Sequence, residues 1–287
     1  MKTSIVVPAY NEVGNIESLI YRIAKSAHDN LYEIIVIDDH SEDGTWEKLK
    51  ELRSRFPLKA AKKIGKKGKA YSLFEGLDQA TGDNLAIIDA DLQYPPEEIF
   101  PIVDEMQNQG SDVVVANRRT YQDSVKRKVL SEVFKTVFGR ILFGINEDIQ
   151  SGLKVFKREV YDTVRFKPKS KWSFDLEFLQ RAKKAGYKLK GHDIVFLRRR
   201  FGKSKVNSIA SSIELALNAL FLRLKSIGPQ TIFPKGSFME FAGIGYKGKK
   251  YVTHSTLSQQ ESALRNLNSW QKIAIFTSAI FFYGRSK

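Results

Sequence analysis

The first 117 residues alternate between two patterns. Short runs that are apolar almost without a break, SIVVPAY (4–10), YEIIVIDD (32–39), LKAAKK (58–63), NLAIIDA (84–90) and DVVVANR (112–118), are separated by stretches 12–27, 43–56, 67–80 and 95–110. Apolar residues in those stretches recur at helical spacing. Strands with no polar face are buried on both sides, so strand and helix in this alternation predict a parallel sheet covered by helices on both faces. Ligands of such sheets bind at the carboxyl ends of the strands. Asn11 and Glu12 follow the first strand, Asp38 and Asp39 end the second, and Asp89 and Asp91 follow the fourth. A turn feeding a helix explains Asp43 as a cap. Capping does not explain five acids on one edge.

Beyond residue 118 the pattern changes. VKRKVLSEVFKTVFGRILFG (125–144) has a wide apolar face with Lys126, Arg127, Lys128, Lys135 and Arg140 on the remainder, and reads as a basic amphipathic helix facing a core or a membrane surface. Asp175 and Glu177 open a further helical stretch running to Gly186. Residues 206–227 are apolar nearly all round and need cover from protein or lipid. Residues 232–254 suggest a small hairpin-like insert. The uncharged run Ile273–Gly284 would span about 18 Å as a helix, short of the roughly 30 Å hydrocarbon core. Trp270, Lys272, Tyr283 and Arg285 give it the flanks of a membrane-associated segment or of a spanning helix cut short. The expected organisation is a catalytic domain over 1–205, an amphipathic juxtamembrane helix over 206–230, and a membrane-associated segment over 231–287. MKTSIVVPAY is too briefly apolar for a signal peptide, so the first strand is expected to start at the N-terminus.

Charge sharpens this division. The net charge of +15 is made of −7 over residues 1–117, +15 over 118–206 and +7 over 207–287. An anionic partner is therefore expected on the side of the second half: nucleic acid, lipid headgroups or a phosphorylated substrate. The acidic first third and the lack of a recognisable DNA- or RNA-binding motif speak against nucleic acid. Lys183, Lys184, Lys188 and Lys190 read as charges on solvated helix faces. With no cysteine, disulfides, zinc–thiolate sites and cysteine nucleophiles are excluded.

The acidic edge carries the candidate chemistry. Asp89 and Asp91, two residues apart where LAII meets Pro95 and Pro96, can face one cavity and hold a hard divalent cation, Mg2+ or Mn2+, with Gln93 adding a neutral oxygen. A diphosphate would complete the coordination and leave with the metal's help, which fits nucleotide-sugar chemistry.

IVVPAYNE (5–12), IIVIDDHSEDGT (34–45), DADLQYPPEE (89–98) and SGLKVF (151–156) resemble the ordered motifs of inverting glycosyltransferases with the GT-A fold. DADLQ followed by PPE is similar to the branch of dolichol-phosphate mannose synthase and the bacterial polyprenyl-phosphate glucosyltransferases. The resemblance covers residues 1 to about 227. It implies a Rossmann-like, mostly parallel α/β sheet flanked by helices, with C-terminal amphipathic, membrane-associated helices and the catalytic domain on the cytoplasmic face. It further implies that Pro8, Tyr10, Glu12 and Asp39 line the nucleotide pocket, and that Asp89, Asp91 and Gln93 hold the metal and diphosphate. KWSFDLEF (171–178) and RRFGKSKV (199–206) resemble later segments of the same relatives, placing Arg199, Ser204 and Lys205 near the phosphates. The expected reaction moves mannose or glucose from GDP-mannose or UDP-glucose to dolichyl or polyprenyl phosphate. That acceptor is mostly ionised at neutral pH and needs no general base, only cations to dock it, for which Arg118, Arg119, Arg127 and Arg199 are candidates.

Two rivals come from other readings. A phosphorelay receiver would explain IVIDDHS but gives no role to DADLQ. A glycosyltransferase acting on a saccharide hydroxyl would need a carboxylate base, with Asp175 the available choice. Asp91 is indispensable under either glycosyltransferase reading.

Overall fold

The computed structural model describes residues 1–27, 30–121, 135–168, 170, 174–199, 201–202, 219 and 222. The chain divides into two compact units, Met1–Ala219 and Leu220–Lys287, and the elements below all belong to the first. Most of the candidate helices at 125–144 and 206–227, the insert at 232–254, the tail and the boundaries expected at 205 and 230 lie outside the described residues. Of the first candidate helix, Lys135–Ile141 is described and is wound as a π-helix.

Seven strands form one sheet: β1 (Thr3–Ala9), β2 (Leu31–Asp38), β3 (Leu58–Lys62), β4 (Asn84–Ile87), β5 (Val113–Tyr121), β6 (Lys154–Lys157) and β7 (Leu189–Phe196). Their spatial order is β3-β2-β1-β4-β6-β5-β7. β1 pairs in parallel with both β2 and β4, and β2 with β3. β6 is the reversed strand, antiparallel to β4 on one side and to β5 on the other, while β5 and β7 run parallel.

The helices are α1 (Val13–Ser26), α2 (Thr45–Leu52), α3 (Lys69–Gln79), α4 (Ile99–Asn108, entered through a 3-10 turn at Pro96–Glu98), α5 (Arg158–Val164) and α6 (Phe174–Lys184). All four helices expected before residue 118 are present. In α1, Ile16, Leu19, Ile20 and Ile23 recur at three and four residues and are fully buried. At about 1.5–3 kcal/mol for each such side chain, this stripe fixes which way the helix faces. It joins α2, α4 and the inward residues of β1, β2 and β4 in one core. α3, α5 and α6 cover the opposite face, where Phe74 meets Phe174 edge-on at 5.3 Å and Phe156 packs against Phe178 at 4.6 Å.

The two strands not foreseen differ in character. β6 is only four residues long and overlaps the SGLKVF motif. β7 is a sheet edge carrying Lys190, His192 and Asp193, so its charges mask the strand pattern while protecting the edge from further pairing. Lys190 therefore sits on a strand, 3.4 Å from Glu105, and not on a helix face.

Candidate active site

The carboxyl ends of β1, β2 and β4 converge. The three non-glycine residues with positive φ among the described residues lie there, one per strand: Asn11 (φ 53), His40 (φ 64) and Leu92 (φ 60). Backbone held in this region costs about 1–3 kcal/mol per residue and persists where the surroundings enforce it. Here they do. Ser41 Oγ accepts from the Asn11 amide at 2.8 Å, and Asn11 Oδ1 from the Glu42 amide at 2.8 Å. Asp43 accepts from the Thr45 hydroxyl at 2.5 Å and from the amides of Val13 (3.1 Å) and Thr45 (3.0 Å), so one carboxylate caps the starts of both α1 and α2 and is held below its ordinary pKa, these bonds outweighing its burial.

Among the expected nucleotide-pocket residues, Asp39 is tied down most firmly. Its Oδ1 lies 3.1 Å from Lys63 Nζ and its Oδ2 accepts from the Gly68 amide at 2.7 Å. Lys63 is almost fully buried and also donates to Gly68 O and Ser72 Oγ. Pro8 sits near the end of β1, beside Ile37 of β2. Tyr10 is half-exposed just beyond β1, with Lys67 Nζ 5.7 Å above its ring. Asp38, which the sequence places on the same acidic edge, is instead fully buried, and neither of its carboxylate oxygens has a hydrogen-bond partner among the described residues.

The paired acids after β4 each hold a protein cation. Asp89 Oδ1 lies 2.6 Å from Lys69 Nζ at the start of α3. Asp91 Oδ2 lies 2.6 Å from Arg199 Nη2, and the same guanidinium reaches Glu12 Oε1 at 3.3 Å. Arg199 thus joins the loop after β1 to the loop after β4. Burial pushes the Asp91 carboxyl above its ordinary pKa, and Asp89 adds to this against the pull of Arg199. Burial alone would lower Lys69, but Asp89 and Asp175 outweigh it and hold the ammonium above the ordinary lysine value. The Gln93 amide donates to Asp91 Oδ1 at 3.1 Å, while Gln93 Nε2 donates to Leu197 O at 3.2 Å and leaves Oε1 as the end suited to a cation.

SGLKVF enters this site through the reversed strand. A Cβ on Gly152 would lie 2.2 Å from Asp89 Oδ2, so glycine is what allows the Asp89 carboxylate its position. Two residues on, the fully buried Lys154 lies 2.5 Å from Asp175 Oδ1 and also donates to Ser151 O. Burial lowers the Lys154 pKa, opposed by Asp175.

The expected acceptor-phosphate arginines separate. Arg118 is largely buried against Asp148 at 2.6 and 3.0 Å, a two-point pair that holds Asp148 below its ordinary pKa in spite of burial. Arg119 pairs with Asp193 at 2.9 Å, both side chains more than half exposed. Arg199 lies among the acids. Arg127, Ser204 and Lys205 lie outside the described residues. Sequence reasoning missed Lys63, Lys69 and Lys154. Lys69 had a signal, because a cation in the first turn of a helix opposes the helix dipole and calls for another explanation.

Two carboxylates, an amide oxygen and the space kept open by Gly152 form a hard-oxygen donor set that fits Mg2+ or Mn2+. The described residues hold no ready-made group of three or more acidic, histidine or cysteine ligands. A mostly parallel sheet with one reversed strand, acids converging from three strand ends and cations brought against them from α3 and from the segment after β7, defines a protein of the GT-A class. The chain belongs to glycosyl transferase family 2, whose model matches residues 4–165. Over 176 residues it is 37% identical to the dolichol-phosphate mannosyltransferase of Pyrococcus furiosus, covering 58% of this chain and 49% of the relative. It is 34% identical over 169 residues to the undecaprenyl-phosphate 4-deoxy-4-formamido-L-arabinose transferase of Aeromonas hydrophila, covering 56% of this chain and 50% of that one. The chain thus spans about half the length of the curated relatives it matches. Among solved structures it resembles glucosyl-3-phosphoglycerate synthase from Mycobacterium tuberculosis in complex with Mn2+ and UDP-glucose, with a TM-score of 0.60, 20% identity, and coverage of 77% of this chain and 78% of that one. That likeness establishes the fold.

Proposed function

We propose that this chain transfers mannose or glucose from a GDP- or UDP-sugar to dolichyl or polyprenyl phosphate, with Mg2+ or Mn2+, at the cytoplasmic face of a membrane. The observation that carries the proposal is the meeting of Glu12, Asp39 and the Asp89–Asp91 pair from the ends of three strands, with Arg199 reaching across Asp91 to Glu12. The names of the two relatives, both transferases to a polyprenol phosphate, support the acceptor class.

Each residue has a task in this reading. Asp39, fixed by Lys63 and the Gly68 amide, presents carboxylate oxygens to the N–H edge of the base. Asp89, Asp91 and Gln93 would hold the divalent ion, which when bound neutralises the departing diphosphate. Arg199 binds the acceptor phosphate once released from Asp91, and Arg119 assists, because an exposed ion pair such as that with Asp193 holds by only about 0–1 kcal/mol. Arg118, engaged with buried Asp148, supports the edge instead. A phosphate monoester with a second pKa near 6 attacks as the anion it already is, so no side chain need remove a proton.

Asp175 pairs with Lys154, two residues from the Gly152 that abuts Asp89, a position that supports the hydroxyl-acceptor reading. Its carboxylate is nevertheless engaged through Oδ1 by the ammonium of the buried Lys154. Removing Asp175 would leave Lys154 without its carboxylate, so the choice of acceptor is the cleaner discriminator. Purified protein with Mn2+ and radiolabelled GDP-mannose or UDP-glucose is offered a short polyprenyl phosphate, the matching polyprenol, or a saccharide. Label should become organic-soluble with the phosphate alone and remain aqueous in EDTA. Transfer to the saccharide with the polyprenyl phosphate inert would replace this proposal with the hydroxyl reading.

A further inference from the structure

Lys69 has no part in the reaction as derived so far, yet it occupies the most contested position in the site. It is the first residue of α3, where the helix dipole disfavours a cation. The residue before it, Gly68, stands at φ 143, a conformation open to glycine, and gives its amide to Asp39. One dipeptide therefore touches both the base-pocket acid and, through Lys69 Nζ at 2.6 Å, the Asp89 carboxylate. Glu12, Asp89, Asp91 and Asp175 are here matched by Lys69, Lys154 and Arg199, four carboxylates against three cations. A divalent ion entering alone would bring two charges to a cluster carrying only one net negative charge. A metal arriving with a diphosphate, itself carrying two negative charges, leaves that balance unchanged.

We propose that Lys69 stands in for the divalent ion on Asp89 while the donor is absent, and passes to the donor's diphosphate when metal and sugar nucleotide enter together. This rests on the metal and nucleotide-sugar reading above and adds to it the residue that couples their binding. The exchange is local, a side-chain swing from a carboxylate to an adjacent phosphate oxygen, and it makes one cation serve two states. In the unliganded protein the like charges of Asp89 and Asp91 are kept together by Lys69 and Arg199. In the loaded protein the ammonium donates to a phosphate it could not reach while Asp89 held it.

The test measures binding. Mn2+ affinity is read from the loss of the free-ion signal in electron paramagnetic resonance, with the full chain alone, and GDP and UDP affinity is then read by calorimetry in saturating Mn2+. Lys69→Gln should bind Mn2+ alone about tenfold more tightly than the wild type and the better of the two nucleotides about tenfold more weakly, the scale of one partly buried ion pair lost in each state. Lys69→Met, which keeps the apolar stem, carries the same two expectations should the glutamine variant fold poorly, and Lys69→Arg should stay close to wild type in both. Unchanged or weakened binding of Mn2+ alone in the uncharged variants overturns the role of Lys69 while leaving the proposed function standing. Wild-type protein that binds neither nucleotide with Mn2+ overturns both.

Discussion

At the scale of single residues, the site depends on atoms that are missing as much as on those present. Gly152 lies so close to Asp89 that a methyl group would come within 2.2 Å of a carboxylate oxygen. Gly152→Ala should therefore displace Asp89 and lower transfer at least about tenfold, the cost of about 1.4 kcal/mol of misplacement, while circular dichroism shows the fold retained. Wild-type turnover in this variant would mean that Asp89 does not need its present position. Glu12, Asp39, Asp89 and Asp91 were legible in the sequence because carboxylates at the ends of apolar strands are costly without a purpose. Lys63 and Lys69 were not, since KKIGKKGK reads as a solvated basic run until the chain folds it over Asp39 and Asp89. Lys154 was hidden for another reason: a lysine inside a short apolar strand looks like an exposed edge, and only the pairing of β6 on both sides shows it to be fully buried.

At the scale of elements, the first five strands and four helices could be read directly, because the strands are short runs that are largely apolar, β3 with its exposed lysines apart, and each helix shows one buried stripe. The order in which strands lie side by side could not, as β6 enters between β4 and β5 from a distant part of the sequence. What anchors that entry is the turn before it. Asp148 holds Arg118 of β5 by two hydrogen bonds, takes the Gln150 amide at 3.0 Å, and gives its own amide to Asn117 Oδ1 at 2.9 Å. Asp148→Asn takes the Asp148 carboxylate from a largely buried guanidinium and should lower the free energy of unfolding by about 3 kcal/mol, read from urea denaturation. A loss well under 1 kcal/mol would show that Arg118 is satisfied without it.

At the scale of the whole molecule, acid should act in opposite senses on the scaffold and on the site. Glu33, Asp112 and Asp148 have pKa values held below their ordinary ones, with burial opposing in each: by Lys59, Ser4 and Thr81; by Lys157 and Lys188; and by Arg118. The stability they contribute is present above their unfolded values, near 4, and is lost as pH falls through the folded ones. Asp91 is raised, so its ionisation costs stability as pH rises. Stability against urea should thus decline below about pH 4 as the scaffold acids are protonated, with protonation of Asp91 offsetting part of that loss. Asp91→Asn should match or exceed the wild type in stability at pH 7, lose that advantage in acid, and be inactive at both; a variant less stable at pH 7 would show that Arg199 repays Asp91 in full. The −7 over residues 1–117 and the +15 over residues 118–206 also acquire a spatial meaning. Acids of the first segment meet cations of the second at one edge, as Glu12 and Asp91 do with Arg199, and others form pairs such as Lys157 with Asp112.

The reversal of β6 has a consequence for how such an enzyme can diversify. Since β5 leaves the sheet where β6 enters it, the excursion from Tyr121 to Gly152 departs from and returns to the rim that holds the donor acids. Under the proposed function, the part of it that precedes Asp148 can change in length and composition while Asp148 keeps its hold on β5 and Gly152 its place beside Asp89, so the acceptor side can vary apart from the donor side.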